Sequence, residues 1–331
     1  MSGRRIGILY NEPLPEGEPG WESSRDVLFQ VDAVESSLQS LGHGAVRLPF
    51  AGRPADLLAL LDAEKPDSVF NLCESVNEDP TLIGHPAAIL ELLSIPFTGS
   101  SAFSLMLSTD KAAGKFLMQG AGVRTPAFVL YDGPGSLKTV ELAFPVIAKP
   151  RFQDASIGID QGSVFRTRKE LQDGAERLFA IHGPLVVEEF IAGRELNVSV
   201  LGYPALRVLA VAEIDFSAFP EGLHHIVGYR AKWEESTFEY ANTPRVFPTS
   251  FSKTFIASLQ RTVLHTCQLF QIRDYGRVDI RLDHAMRIFV LEANANPCLS
   301  PDAGFAAAAL HNGISYRNLV GLLLACLDKR R

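Results

Sequence analysis

The sequence predicts an α/β chain whose C-terminal part is α+β, and three observations carry that prediction. Short apolar runs rich in Val, Ile and Leu alternate with amphipathic stretches, the signature of strands and helices in turn. The 331 residues exceed the ~100–200 residues of a typical domain, so two or three units are expected. Hydrophobic residues make up 47% of the chain, enough to fill sizeable cores, and no biased tract suggests disorder.

Taken in order, residues 5–9 read as a strand and residues 26–41 as a helix stopped by Gly42. Residues 45–49 read as a short strand, 55–64 as a helix, 68–72 as a strand and 85–93 as a helix. Residues 1–105 therefore form an open α/β unit, and the lack of GxGxxG after its first strand argues against dinucleotide binding. A central unit, residues 106–195, holds a helix at 110–120, a strand at 145–149, a loop at 150–158, a helix at 168–180 and a strand at 184–189. The last unit, residues 196–331, contains strands, a charged and aromatic stretch at 229–239, a helix at 252–270, a hairpin, a short helix at 302–310 and a closing helix at 315–328. There is no internal repeat.

The formal net charge of −7 argues against nucleic acid or an anionic membrane as partner, since phosphate backbones demand a basic face. No segment has the ~18 apolar residues needed to span a bilayer. The start, Met1 to Tyr10, lacks the long apolar stretch and cleavage site of a signal peptide. Cys73, Cys267, Cys298 and Cys326 are widely spaced with no CxxC, which reads as reduced thiols in a cytoplasm.

The hairpin is the most informative stretch. With a period of two, Arg277 and Asp279 share one face of its first strand, and Glu292 and Asn294 share one face of its second. A polar joint, Asp283-His284-Ala285-Met286, closes the two. Three oxygen-bearing side chains and an arginine would then meet on one patch, which suits a hard cation such as Mg²⁺ with room left for phosphates. An ordinary solvated hairpin would carry the same residues. Lys149 ends an apolar run just before Pro150, where a ligand can be reached. Residues 154–158, with Ser156, follow as a glycine-poor loop that could cover phosphates with backbone N–H groups. Lys111 and Lys115 share a helix face, and Lys232 lies in Tyr229-Arg230-Ala231-Lys232-Trp233; taken alone, a solvated face is the commoner explanation of each. Glu188, Glu189, Ile191 and Glu195 form a strand end and turn whose carbonyls, N–H groups and carboxylates suit an adenine and its ribose, or simply a charged turn. His224-His225, His265 with Cys267, and Cys73 read as structural or solvated, since none has a third metal ligand or a base nearby.

In their order and spacing these pieces resemble the ATP-grasp ligases, most closely the D-alanine–D-alanine ligase branch. The resemblance runs from about Val69 to the C-terminus, through Phe97-Thr98-Gly99-Ser100, Thr109-Asp110-Lys111, Lys149-Pro150, Val187 to Glu195, Glu213-Ile214, Tyr229 to Trp233, Gly276 to Asp279 and Leu291 to Pro297. It implies an ATP-grasp fold, with an N-terminal α/β domain and central and C-terminal domains gripping ATP. By position, Lys111, Lys149 and Lys232 would meet the phosphates, with Ser156 in the loop above them. Glu188 would take the adenine amino group, the backbone of Glu189 and Ile191 the ring edge, and Glu195 the ribose. Asp279, Glu292 and Asn294 would hold two Mg²⁺ ions, while Arg277 and Lys232 would act at the reacting centre. The implied reaction joins an amino acid or peptide carboxylate to an amine through an acyl phosphate. Residues 216–239 would be the lid, and the analogy extends to a homodimer.

The departures point away from D-alanine as substrate. Residues 11–24 are rich in Pro and Glu and lack the family's glycine-rich turn, glutamate and serine. A histidine-glycine pair is replaced around Cys73-Glu74, a loop serine by Ala155, a tyrosine by Trp233 and a glycine by Cys298. The serine expected at the acceptor's carboxylate falls near Ala303, and Arg151 and Arg230 are the candidates to replace that contact. A small-molecule kinase and a nucleotide-binding protein without turnover are the alternatives to a ligase.

Overall fold

The apolar run after Arg5 is buried on both faces, as the central strand of a parallel sheet must be. The structure, a computed structural model, describes residues 3–18, 21–137 and 141–330, so Met1, Ser2 and Arg331 lie outside the described residues, as do Pro19 and Gly20 of the divergent segment. Strand β1 (Arg5–Asn11) leads through α1 (Trp21–Ser24) and α2 (Asp26–Ser40) to β2 (Gly44–Phe50). Helix α3 (Pro54–Glu64) then leads to β3 (Ser68–Asn71), giving a parallel sheet of order β2-β1-β3. Val27, Val31, Val34 and Leu38 recur at helical spacing along α2 and are buried against this sheet. Gly42, at φ 83°, accepts the left-handed turn that ends the helix segment. Helices α4 (Gly84–Leu92), α5 (Ala102–Thr109) and α6 (Lys111–Gly120) follow. The sequence reading has no counterpart of α5, which Ser101 starts by accepting a hydrogen bond from the Ser104 N–H.

The next sheet contains β4 (Phe128–Tyr131), β5 (Val146–Pro150), β6 (Val164–Phe165) and β7 (Leu185–Glu189), ordered β4-β7-β5-β6 and antiparallel throughout. One face, with Val146, Ala148, Leu185 and Val187, packs on α7 (Arg168–His182). The alternate residues Ile147, Lys149 and Glu188 face the other way, towards a cavity.

The third sheet is built from β8 (Arg194–Gly202), β9 (Arg207–Ile214), β10 (Arg245–Val246), β11 (Asp274–Leu282) and β12 (Ile288–Asn294), ordered β10-β9-β8-β11-β12. The short helices α8 (Tyr229–Trp233) and α9 (Phe238–Ala241) lie between β9 and β10. Helix α10 (Lys253–Leu269) covers one face through Leu259, Val263 and Cys267, which share a core with Val198, Val200, Val278 and Ile280. The other face is apolar at one end, where Leu201 and Tyr275 pack with α11 (Gly304–His311) and α12 (Tyr316–Asp328), and polar at the other. Leu319, Val320, Leu323 and Leu324 of α12 share one core with the α2 stripe and β1, so the last helix completes the packing of the first sheet. No helix among the described residues is long and apolar enough to cross a membrane.

The hairpin forms as expected, with Arg277 opposite Asn294 and Asp279 opposite Glu292. One correction follows from its ladder. The register shifts so that Ile280 pairs with Val290, leaving Leu291 as a bulge. A strict period of two places Leu291 on the apolar face, whereas it lines the cavity with Glu292.

A charged joint fastens the first and third sheets. Asp274 is wholly buried, accepts hydrogen bonds from the Gly99 N–H at 2.8 Å and from Arg330 at 2.9 Å, and Arg330 also donates to the carbonyls of Gly99 and Phe97. Removing one partner of a buried pair strands the other, at a cost of about 3–5 kcal/mol. An Asp274→Ala variant should lose about 3 kcal/mol of stability, read from its urea midpoint; an unchanged midpoint would show that the joint holds nothing.

Candidate active site

A cavity of about 460 Å³ opens between the polar end of the third sheet and the inner face of the second. Period-two alternation on both sheets decides what it contains. On β8 and β11 the alternate residues Glu195, Asn197, Arg277, Asp279 and Arg281 face inward, while Leu196, Val198, Val278 and Ile280 face α10.

At one end the chain passes from the second sheet to the third. Glu188 is almost fully buried and lies between two ammonium groups, Lys149 at 2.5 Å and Lys115 in direct contact. Lys149 pairs with Val186, so Glu188 is its diagonal cross-strand neighbour. Burial alone would push the Glu188 carboxyl up, but the two lysines outweigh it and hold it below the ordinary carboxylate range. The sequence reading places Glu188 at an adenine but misses Lys115 as its partner, because the pairing crosses from a helix to a sheet. The Glu189 N–H donates to the Ala127 carbonyl at 2.9 Å, and the Glu189 carboxylate accepts from the Ala143 N–H at 3.0 Å. Its backbone N–H is therefore not free for a ring edge, whereas the Ile191 N–H has no partner among the described residues. Gly193 turns the chain at φ 137°, where any Cβ would sit 2.0 Å from the Leu282 carbonyl oxygen. Glu195, expected at the ribose, pairs with Arg281 at 2.8 Å, and the Arg281 guanidinium lies over the rings of Phe190 and Phe216.

The cations expected at phosphates all line this cavity. Asp110 caps α6 by accepting from the Ala112 and Ala113 N–H groups, which fixes Lys111 in the first turn. Lys111 donates to the Gln153 carbonyl at 2.6 Å and to Asp154 at 3.0 Å, and lies 3.6 Å from Glu292. Burial opposes its charge, but Asp154 and Glu292 prevail and hold the ammonium above the usual lysine value. Lys232, on α8, projects into the open cavity without a hydrogen bond or ion pair among the described residues. Enclosure in the cleft and the neighbouring Arg277 lower its affinity for a proton.

The loop and the expected lid are stitched into one cover. Ala155 and Ser156 take left-handed φ angles of 54° and 63°. The Ser156 hydroxyl donates to the Val227 carbonyl at 2.7 Å, and the Trp233 indole donates to the Ala155 carbonyl at 3.0 Å. Gln161 and the His224 backbone exchange two hydrogen bonds, and the Tyr229 N–H donates to the Ile159 carbonyl. Ser156 lines the cavity, yet its hydroxyl is committed to the lid.

Beneath the cover lies the carboxylate end of the hairpin. Arg277 forks onto both oxygens of Asp279 at 2.7 and 2.8 Å, and Asn197 donates to Asp279 at 2.9 Å. Burial would raise the Glu292 carboxyl, but Lys111, Lys149, Arg277 and Lys232 together pull it down to about 2. Asn294 accepts from the Asn296 N–H at 2.8 Å. Among the described residues no cluster of three or more His, Cys, Asp or Glu is placed to hold a metal. The donors present are two carboxylates and one amide on facing strands, an all-oxygen set that fits Mg²⁺ with the remaining positions left to phosphate and water.

The two arginines named to replace a lost carboxylate contact do not reach the cavity. Arg151 forks onto Asp110 at 2.7 and 2.6 Å, and Arg230 pairs with Glu239 at 3.1 Å and Glu234 at 3.6 Å. Two residues that sequence reasoning passed over, Asn197 and Arg245, do line it. His224 and His225 pack on Phe190 and Phe216, and burial lowers both below the ordinary histidine value. All four thiols are free, and burial pushes each up, Cys267 to about 12.

The chain is similar to known proteins over most of its length. A family described as D-ala D-ala ligase C-terminus matches residues 118–325. A D-alanine–D-alanine ligase of Nitrosospira multiformis is 31% identical over 96% of this chain and 94% of its own. An uncharacterized protein of Sinorhizobium fredii is 31% identical over 97% of this chain and 93% of its own. The crystal structure of a D-alanine–D-alanine ligase from Bacillus anthracis complexed with ATP matches with a TM-score of 0.75 at 18% identity, covering 99% of this chain and 98% of the other. The VanG D-Ala:D-Ser ligase from Enterococcus faecalis matches with a TM-score of 0.74 at 18% identity, covering 98% and 100%.

The Glu188 pair generates a pH prediction. Its pKa is lower in the folded than in the unfolded chain, so its contribution to stability is complete above the unfolded value of ~4.3 and fades as the pH falls below that. At pH 7, Glu188→Gln should be less stable than the parent by about 3 kcal/mol. The gap in urea midpoints should narrow below about pH 4; a constant gap from pH 7 to pH 3 would contradict the pairing.

Proposed function

Because this chain belongs to the D-alanine–D-alanine ligase family and has the ATP-grasp fold, we propose that it is an ADP-forming carboxylate–amine ligase whose substrates are not two D-alanines. The observation that carries this reading is the convergence in one cavity of Lys111, Lys149, Lys232 and Arg277 with Asp279, Glu292 and Asn294. Binding a nucleotide alone does not require an arginine locked onto a carboxylate beside an all-oxygen donor set. In this reading residues 1–105, 106–195 and 196–331 act as three domains, with ATP held between the last two.

The adenine would lie in the slot lined by Ile147, Ile191 and Leu291, its edge against the free Ile191 N–H, with Glu188 at its amino group and Glu195 at the ribose. Lys111, Lys149 and Lys232 would hold the phosphate oxygens. Asp279, Glu292 and Asn294 would hold Mg²⁺, two ions in this reading, which neutralises phosphate charge when bound. The substrate carboxylate attacks the γ-phosphorus and ADP leaves. The amine then attacks the acyl carbon, phosphate leaves and the amine gives up a proton. Asp279 fixes the Arg277 fork so that the guanidinium meets charge building at the reacting centre without reorganising. The cover formed by the loop and lid excludes water, which protects an acyl phosphate from hydrolysis.

Support for different substrates comes from the far side of the hairpin. The Cys298 thiol and the Ser300 hydroxyl both engage Asp26, the first residue of α2, at 3.3 Å. Gln30, one turn further on, bridges Glu74 at 2.8 Å and the Leu299 N–H at 2.9 Å. Glu74 and Cys298, two positions where the sequence departs from the family's pattern, are thus tied to α2 in the wall next to the hairpin.

ADP release measured with ATP and Mg²⁺ over a panel of free amino acids and dipeptides should reveal a substrate-stimulated rate, with an amide bond in the product. Asp279→Asn should lower that rate by at least about a hundredfold. A full rate in this variant would refute the phosphate-end assignment, and a phosphorylated product without an amide would make the protein a kinase.

A further inference from the structure

Arg281 sits where the third sheet, the turn that leaves the second sheet and the lid come together. On β11 it lies directly opposite Glu195 of β8, and the two form an ion pair at 2.8 Å. The arginine is only 4% exposed, so it is held by the protein rather than by water. Its guanidinium also donates to main-chain oxygens on either side, the Gly193 carbonyl in the turn at 3.4 Å and the His225 carbonyl in the lid. The guanidinium carbon lies 5.3 Å from the Phe190 ring centre and 5.9 Å from that of Phe216. Phe216 stacks on His225 at 5.3 Å, so the ring and the carbonyl that the arginine meets in the lid belong to one packed unit. An ammonium has neither the planar face nor the spread of donors for all of these contacts.

Glu195 spends its Oε2 on this pair, while its Oε1 has no hydrogen-bond partner among the described residues, and the residue lines the cavity. One carboxylate oxygen is thus fastened and the other is offered to a ligand. Because a buried arginine fixes the carboxylate beforehand, a hydroxyl that donates to it pays little in ordering. A sugar without that hydroxyl leaves the oxygen unmet beneath a closed lid, which is unfavourable. We propose that Arg281 is a positioning residue that aims Glu195 at the ribose hydroxyls, and so sets how strongly the cleft prefers a ribonucleotide to one lacking them. This rests on the nucleotide site proposed above and names the residue behind its sugar selectivity.

The test compares KM for ATP and for 2′,3′-dideoxy-ATP in the parent, Arg281→Gln, Arg281→Lys, Glu195→Gln and the double variant Arg281→Gln with Glu195→Gln. The parent should prefer ATP by about tenfold to a hundredfold, the worth of hydrogen bonds to a charged group. Arg281→Gln should lower that preference by about tenfold, and Arg281→Lys, which restores the ion pair alone, should recover part of it. In the double variant the preference should equal that of Glu195→Gln, since the arginine acts through the carboxylate. Equal losses for both nucleotides in Arg281→Gln, with the preference intact, would mean that the arginine only holds the fold, and overturn the proposal. A further fall in the double variant also overturns it. Should the parent release no ADP with any substrate, the ligase reading fails, and the inference is judged from the Kd of the two nucleotides with Mg²⁺. A preference for ATP in the parent that is lost in Arg281→Gln supports it; equal Kd values in the parent, or no binding of ATP, overturn it.

Discussion

Gathering charge in an enclosed cleft is costly unless most of it is answered, and that constraint shapes this site. Lys111 arrives from α6, Lys149 from β5, and Arg277 and Arg281 from β11, and each meets a carboxylate before any ligand does. Glu188 carries the heaviest part, holding two lysines from inside the second sheet. The pairs keep long, flexible side chains in place, so a polyanionic ligand finds its contacts already oriented. The same pairs set a threshold: a ligand gains only what exceeds the internal contacts it displaces.

Much of this was legible in the sequence because period-two alternation is a hard geometric rule. Arg277 with Asp279, and Glu292 with Asn294, face one cavity as the alternation requires. Helix limits marked by Gly42 and Ser252 were equally readable. What escaped was whatever depends on two distant segments meeting. Lys115 has the appearance of a solvated helical lysine, and nothing near it in sequence announces Glu188. Arg281 continues the inward face of β11, but its role appears only when Glu195 is laid beside it on β8. Leu291 was misplaced for another reason: a bulge breaks the alternation that the reading relied on. Arg151 and Arg230 were chosen for adjacency in sequence to the loop and to Lys232, yet each turns aside to a nearer carboxylate.

The cover over the cleft is held largely by main-chain acceptors. Ser156 and Trp233 bond to the carbonyls of Val227 and Ala155, and Gln161 to the backbone of His224. A cover closed in this way does not need a particular substrate side chain to order it. The cover is therefore held by bonds of the chain's own, whatever occupies the cleft beneath it.

The packing of α12 bears on how the chain is made. Its leucines finish the core around α2 and β1, and Arg330, just beyond the helix, reaches the carbonyls of Phe97 and Gly99. A ribosome releases the first sheet long before it releases these residues. During synthesis the outer face of α2 stays uncovered until the final turn of helix emerges. Cutting the chain short within α12 would therefore strip apolar cover from α2 and the first sheet, at the opposite end of the sequence.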